Sequence, residues 1–311
     1  MPESSTSASI SFKSGNFSSS YVTVTVGGLS GDSIQVILRV RNGDTDETYM
    51  FDDIEVHEPR TLYSFTDGNW NTVGTWSLTR LGESCGCTPD RNDNVFIQTT
   101  DVVDITASEF TTNLTVENGG TLRWTSGNNE LHIENGGKLE VEGTGTLTRN
   151  GQTGANIRID DEWLDIDIVN DGTFSVSAIQ LENFQGNVNL SGSGDIDLVA
   201  NLEITGDGDA FDAAYANWDP IIWLTNDLAG DLNIGGNLGI AGSGSGNLVF
   251  TNNGTVDQEG SISNATVDSR FYNTANAVWN YGGSGTVSNI ALYADYNNSS
   301  FIYDRTGSQT I

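Results

Sequence analysis

Acidic side chains at alternate positions are the first candidates for chemistry in this sequence. Asp207, Asp209 and Asp212 are spaced as oxygen ligands are in Ca²⁺-binding loops. Asp52 lies in the run 49–56, where alternation places it on the apolar face, so its carboxylate needs a hydrogen-bond donor or a cation. The sequence therefore predicts structural Ca²⁺ at both places. The alternatives are plain hydrogen bonding at Asp52 and, for the loop, acidic turns that only keep the protein soluble, since the loop lacks the glycine and glutamate positions of an EF-hand.

Two tryptophans are candidates for carbohydrate binding. Trp218 and Trp223 flank Pro220 in the segment 206–225, which follows the acidic loop. Aromatic side chains can stack on sugar rings in clefts, so we expect this insertion to be the most favourable local binding feature.

Candidates for catalysis are few. Asp160 and Asp161 form a carboxylate pair of the kind that glycoside cleavage uses, but the neighbouring sequence has neither the histidine nor the lysine that such sites carry. His57 and His132 are expected to be solvent-exposed and without a catalytic role. Nucleophilic catalysis needs a nucleophile beside a base, and neither histidine is placed to supply one. We therefore predict no catalytic residues and no enzymatic activity.

The two cysteines, Cys85 and Cys87, are separated by one residue. They provide no disulfide framework, and whether they are bonded to each other is left open by their spacing alone.

Composition excludes several classes of partner. The chain has 311 residues, 12 Lys and Arg against 42 Asp and Glu, and a formal net charge of -30. A surface this acidic repels nucleic-acid phosphates and anionic lipid headgroups. No run approaches the roughly 20 apolar residues of a membrane helix. We expect a folded protein that neither binds nucleic acid nor inserts into a membrane.

The elements that position these residues are predicted to be strands. Short apolar and polar alternation recurs between Gly, Asn and Asp turns, which indicates an all-β protein. Residues 1–58 read as part of an antiparallel β-sandwich of the jelly-roll type, 59–66 as a linker, and 67–311 as a right-handed parallel β-helix. Stacked antiparallel sandwiches are the alternative.

An internal repeat favours the solenoid. The segment 113–122 is echoed by 130–139, an offset of 17 residues, and both contain Glu-Asn-Gly-Gly. Such repeats are typical of β-helix coils, whose corners select Gly and Asn. At about 20 residues per coil and about 4.8 Å per strand, some twelve coils would form a rod of roughly 55 to 60 Å.

Two resemblances add to this interpretation. The pattern GNWN, TWS, CGC and DNVFI between residues 68 and 97 resembles the opening of β-helical segments in large secreted, adhesin-like surface proteins of Gram-negative bacteria. Trp70 and Trp76 of this segment fall where the predicted solenoid begins, and we expect them to cap its open end. Residues 1–58 resemble the C-terminal half of MAM-type and carbohydrate-binding jelly rolls.

These resemblances imply an extracellular location at the bacterial cell surface. Because the start of the chain lacks the basic and apolar regions of a signal peptide, we expect an internal piece of a longer polypeptide. The predicted function is a structural or adhesive segment that spaces or presents binding modules, with surface glycans or other cell-surface proteins as partners. The alternatives are a Ca²⁺-assisted carbohydrate-binding module and a polysaccharide lyase or glycoside hydrolase at Asp160 and Asp161.

Overall fold

The computed structural model describes residues 59–159, 165–182, 186–206, 222–242, 248–264, 269–283, 290–294 and 297–303, all within the unit Glu58–Ile311. In these ranges the regular structure consists of strands without helices. The β-sandwich predicted for 1–58 lies outside the described residues.

The strands form three sheets. Sheet A contains β1 (Thr61–Ser64), β3 (Trp76–Ser77), β4 (Asn94–Ile97), β7 (Asn113–Val116), β10 (Lys138–Val141), β13 (Ile166–Asn170), β16 (Gly186–Gly192), β19 (Ile222–Leu228), β22 (Leu248–Asn252), β25 (Ser269–Asn273) and β27 (Ile290–Tyr293). Sheet B contains β2 (Gly68–Asn69), β5 (Val102–Ile105), β8 (Thr121–Trp124), β11 (Thr146–Thr148), β14 (Thr173–Val176), β17 (Ile196–Leu198), β20 (Asp231–Ile234), β23 (Thr255–Gln258), β26 (Val278–Tyr281) and β28 (Ser300–Tyr303). Sheet C contains β6 (Glu109–Thr111), β9 (Asn129–Ile133), β12 (Ala155–Ile159), β15 (Ala178–Glu182), β18 (Leu202–Gly206), β21 (Leu238–Gly242) and β24 (Ile262–Asn264).

The chain visits the sheets in turn and pairs each strand in parallel with the strand one circuit earlier, so the parallel β-helix is confirmed. Only β3 runs antiparallel among the described strands, against β1. Sheet A thus has ten parallel levels, which span about 43 Å at the usual strand spacing. The expected twelve coils are too many because most circuits are longer than we assumed, with offsets of 25 from Leu114 to Leu139 and 36 from Leu190 to Asn226.

The first strand lies within the segment that we assigned to a linker, residues 59–66. Thr61–Ser64 pairs in parallel with β4 and forms the first level of sheet A. The regular pairing of the solenoid therefore begins at Thr61.

The internal repeat has a different meaning from the one we predicted. Its first copy, 117–120, turns the chain from sheet A to sheet B, whereas the second copy, 134–137, turns it from sheet C to sheet A. Each is closed by a backbone hydrogen bond from the final glycine to the glutamate carbonyl, 2.8 Å in the first and 3.2 Å in the second. The repeat is therefore a corner motif used at two different corners, and its offset is shorter than a full circuit.

The core is a set of inward columns, because alternation points every second side chain into the solenoid. One column of sheet A runs through Val95, Leu114, Leu139 and Ile168, all at most 1 % exposed. Stacking shares this apolar surface between levels, so each rung is stabilised by its neighbours.

The same inward column continues through Leu190 and then changes from aliphatic to polar side chains toward the C-terminal end. Asn226, Asn252 and Asn273 occupy successive levels there and are fully buried. The Asn226 amide donates to the Asn252 side-chain oxygen at 2.8 Å, and Asn252 donates in the same way to Asn273 at 3.0 Å. This asparagine ladder satisfies polar groups that would otherwise be costly to bury.

Candidate functional site

Most of the residues that the sequence singled out lie outside the described ranges. These are Asp52, Asp207, Asp209 and Asp212 for Ca²⁺, Trp218 for carbohydrate, the pair Asp160 and Asp161 for catalysis, and His57. The predictions that depend on them remain predictions. Trp223, at the start of sheet A strand β19, is the predicted site residue that the structure describes.

Trp223 lies on the outer surface of sheet A and is 38 % exposed, unusually high for so large an apolar side chain. Alternation explains its direction, because Ile222 and Leu224 on either side point into the core. The parallel register continues its column through Val249 and then Arg270. An exposed arginine therefore lies two levels from the tryptophan, or about 10 Å at the usual strand spacing.

The next outward column contributes two tyrosines. Tyr272 and Tyr293 are in register on β25 and β27, and their rings stack with centroids 4.8 Å apart and planes 14° apart. We call Trp223, Val249, Arg270, Tyr272 and Tyr293 the aromatic face. It combines the apolar surface of the aromatic rings with polar groups, namely the tyrosine hydroxyls, the indole N–H and the guanidinium. Carbohydrate-binding surfaces combine apolar and polar groups in this way.

The outer surface elsewhere is arranged so that carboxylates meet donors on the next level. In one column of sheet B the order is Asp197, Asn233, Asp257 and Asn280. Asn233 donates to Asp197 at 2.7 Å, and Asn280 donates to Asp257 at 2.6 Å. Alternating acid and amide keeps like charges two levels apart, which reduces the repulsion that a net charge of -30 would otherwise cause.

Sheet C carries a cluster of charged side chains on its outer surface. Arg158 contacts Glu182 at 2.5 Å and Glu130 at 3.3 Å, and the imidazole of His132 lies 3.2 Å from Glu130. The expectation that His132 is solvent-exposed is wrong, since it is 8 % exposed, with its ring centroid 4.3 Å from that of Phe110. The cluster joins three successive levels through charge-assisted hydrogen bonds.

The N-terminal end of the solenoid is closed by the residues before β4. Trp70 and Trp76 lie at the first ends of sheets B and A and are fully buried in edge-to-face contact at 5.2 Å, which confirms their predicted capping role. Trp76 donates its indole N–H to the Trp70 carbonyl at 2.6 Å. Cys85 and Cys87 are joined by a disulfide within this cap, and both pack against the core.

Arginines attach the cap to the first levels. Arg60 contacts Asp93 at 2.6 Å, and this hydrogen-bonded carboxylate raises the pKa of the guanidinium. Arg80 contacts Glu117 at 2.5 Å and lies 5.1 Å from the ring centroid of Tyr63. These contacts hold the cap over the end of the core.

One buried carboxylate lies in the first strand of sheet C. Glu109 begins β6 and is 8 % exposed, and its Oε1 has no hydrogen-bond partner among the described residues. The same inward column continues through Leu131 and Ile157 on the following levels. Desolvation raises the pKa of Glu109 to about 7.

Among the described residues, no group of three or more His, Cys, Asp or Glu side chains is arranged to hold a metal ion. No helix in these ranges has the length and apolar character needed to cross a membrane.

Sequence reasoning found Trp223 but missed Arg270, Tyr272 and Tyr293. The signal that could have found them is the alternation in Arg270-Phe271-Tyr272, which points the arginine and tyrosine outward when Phe271 is in the core. Their position on the same face as Trp223 depends on the register between strands, which cannot be read from the local sequence.

Searches for known relatives give no assignment for these surfaces. No family model, no curated protein and no solved structure matches the chain.

Proposed function

We propose that this chain is a non-catalytic structural and adhesive segment of a bacterial surface protein, which spaces or presents binding modules outside the cell. The observation that supports the proposal most is the continuity of the stack, in which ten parallel levels share one core over about 43 Å. A solenoid built this way holds its two ends at a fixed distance, because each rung packs on its neighbours. The partners would be the rest of a longer polypeptide and, at the target, surface glycans or other cell-surface proteins.

The cap supports an extracellular location. Disulfides persist in oxidising compartments and are rare in reducing ones, and the cap contains the Cys85–Cys87 bond. A net charge of this size also favours a protein that stays solvated.

An attachment assay tests this role. Beads coated with the full chain should bind to glycan-coated or cell-coated surfaces more than beads coated with an unrelated acidic protein. The same protein should release no reducing or unsaturated ends from a panel of acidic polysaccharides. Equal attachment of both bead types would contradict the adhesive role, and product release would contradict the non-catalytic one.

Carbohydrate binding is a second candidate, favoured by the 38 % exposure of Trp223 on a sheet surface. In this function the aromatic face would stack on sugar rings, with Trp218 and a Ca²⁺ ion at Asp207, Asp209 and Asp212 as the predicted additions. Titration of the full chain with neutral oligosaccharides, in Ca²⁺ and in chelator, tests it. Binding that depends on Trp223 would support the candidate.

A further inference from the structure

The aromatic face differs from the acid and amide column of sheet B in how its polar groups are used. Asp197 and Asp257 each accept a hydrogen bond from an asparagine on the next level. By contrast, the guanidinium of Arg270 and the indole N–H of Trp223 make no hydrogen bond or ion pair with any described residue. This face therefore presents donors that the described residues do not satisfy.

The lack of a partner for Arg270 among these residues is notable because of its surroundings in the sequence. It is the only Lys or Arg between Arg158 and Arg305, a stretch with many acidic residues. Its neighbours in the outward column are Val249 on one side and Ala291 on the other, which carry no charge. An arginine that pairs with none of the carboxylates in the described residues is available for a carboxylate on another molecule.

The groups beside Arg270 define the rest of the ligand. Trp223 offers an exposed ring two levels away, and the hydroxyls of Tyr272 and Tyr293 make no hydrogen bond with the described residues. Aromatic rings favour ligands with an apolar face, and N–H and O–H donors favour ligands rich in oxygen acceptors. A sugar ring that carries a carboxylate has an apolar C–H face, many oxygen acceptors and the negative charge that pairs with an arginine.

We propose that the aromatic face binds a carboxylated glycan, with Arg270 paired to the carboxylate and Trp223 against a sugar ring. The inference rests on the proposed adhesive function and names the class of glycan at that surface. Because the net charge of -30 repels an anionic polymer, recognition would depend on this single local cation. Binding is therefore expected to be specific to the carboxylate and sensitive to the loss of one side chain.

The test is calorimetric titration of the full chain with two matched pairs of probes. Tetragalacturonate is compared with its methyl ester, and sialyllactose with lactose, so each pair differs in the carboxylate or the acidic sugar. The buffer contains EDTA, because Ca²⁺ could otherwise bridge acidic groups of protein and ligand. Arg270→Gln and Trp223→Ala are the test variants.

Arg149→Gln is the matched control, since it removes the same charge from a half-buried arginine that donates to the Gln152 carbonyl at 3.1 Å. Thermal unfolding of every variant checks that the fold is retained. Each test variant should weaken binding of the acidic probe about tenfold or more, while the control leaves it unchanged.

Three results would overturn the inference: no binding of either acidic probe, equal binding of the acidic and neutral member of each pair, or unchanged binding by Arg270→Gln. If neutral probes bind as tightly as acidic ones, the carbohydrate role survives and the carboxylate inference fails. If nothing binds, both fail, while attachment to cell-coated surfaces still tests the adhesive role separately.

Discussion

Glu109 should make the stability of the solenoid depend on pH through one side chain. It occupies an inward position that Leu131 and Ile157 fill on the next two levels, and its Oε1 has no hydrogen-bond partner among the described residues. Replacing it with glutamine keeps the shape of the side chain and removes the ionisation. Any pH dependence that Glu109 causes should disappear in Glu109→Gln.

The sign of this pH dependence follows from the pKa of Glu109 in the folded and unfolded states. Burial raises the pKa of Glu109 from 4.5 to about 7, so the folded state holds a proton that the unfolded state has lost between these values. Stability therefore falls as pH rises from about 4.5 through about 7. At about 1.4 kcal/mol for each pKa unit, the cost of ionising Glu109 in the folded state approaches about 3 kcal/mol above pH 7.

Urea unfolding at pH 4 and pH 8, followed by tryptophan fluorescence, measures this difference. Glu109→Gln should match the parent protein at pH 4 and exceed its free energy of unfolding by about 3 kcal/mol at pH 8. Glu83→Gln is the control, because Glu83 is exposed in the cap. If Glu109→Gln retains the pH dependence of the parent protein, the reasoning about this buried carboxylate is refuted.

Four other perturbations test the packing and the cap. Gly137→Ala should destabilise the fold by about 1–3 kcal/mol in urea unfolding, because an added Cβ would overlap the backbone carbonyl oxygen of Thr112 on the preceding level. Gly239→Ala should be neutral or slightly stabilising, since nothing lies within 4 Å of its added Cβ, and equal losses in the two variants would contradict the stacked geometry. Asn252→Ala should cost about 3 kcal/mol in the same assay, because it leaves buried amide and carbonyl groups without partners, and a neutral result would show that the ladder contributes no stability. Reduction of Cys85–Cys87 should cost no more than about 1.6 kcal/mol, the loop entropy of so short a ring, and a larger loss of stability would mean that the disulfide holds the cap in place.

The fold could be predicted from local patterns because a solenoid repeats one local rule. Alternation sends Leu114 and Val116 inward, and Gly or Asn follows where the chain turns. The length of the circuit could not be predicted in the same way. The corner sequence at 117–120 recurs at 134–137, on a different corner, so equal sequences did not mark equal positions in the circuit.

The candidate site was less accessible to sequence reasoning. Trp223 and Arg270 are distant in the sequence and are brought within two levels of each other by two successive registers, β19 to β22 and β22 to β25. The circuits vary in length, with an offset of 19 between paired residues at one level and 36 at another, which hides such registers from a fixed-period search. Glu109 was missed for the same reason. That it shares an inward column with Leu131 and Ile157 becomes visible only when the register of the levels is known.

A continuous solenoid whose length is set by its rungs should shorten by one rung when one circuit is removed. Spin labels at Val102 and Thr255, six levels apart in sheet B, should give a narrow distance distribution centred at about 29 Å. Deleting residues 113–137, one complete circuit, should retain the fold and shorten this distance by about 5 Å. Deleting residues 114–130, which matches the offset of the corner motif, should disrupt the register and broaden the distribution. A distance that stays unchanged after the full-circuit deletion, or that shortens cleanly only after the shorter deletion, would contradict the stacked solenoid.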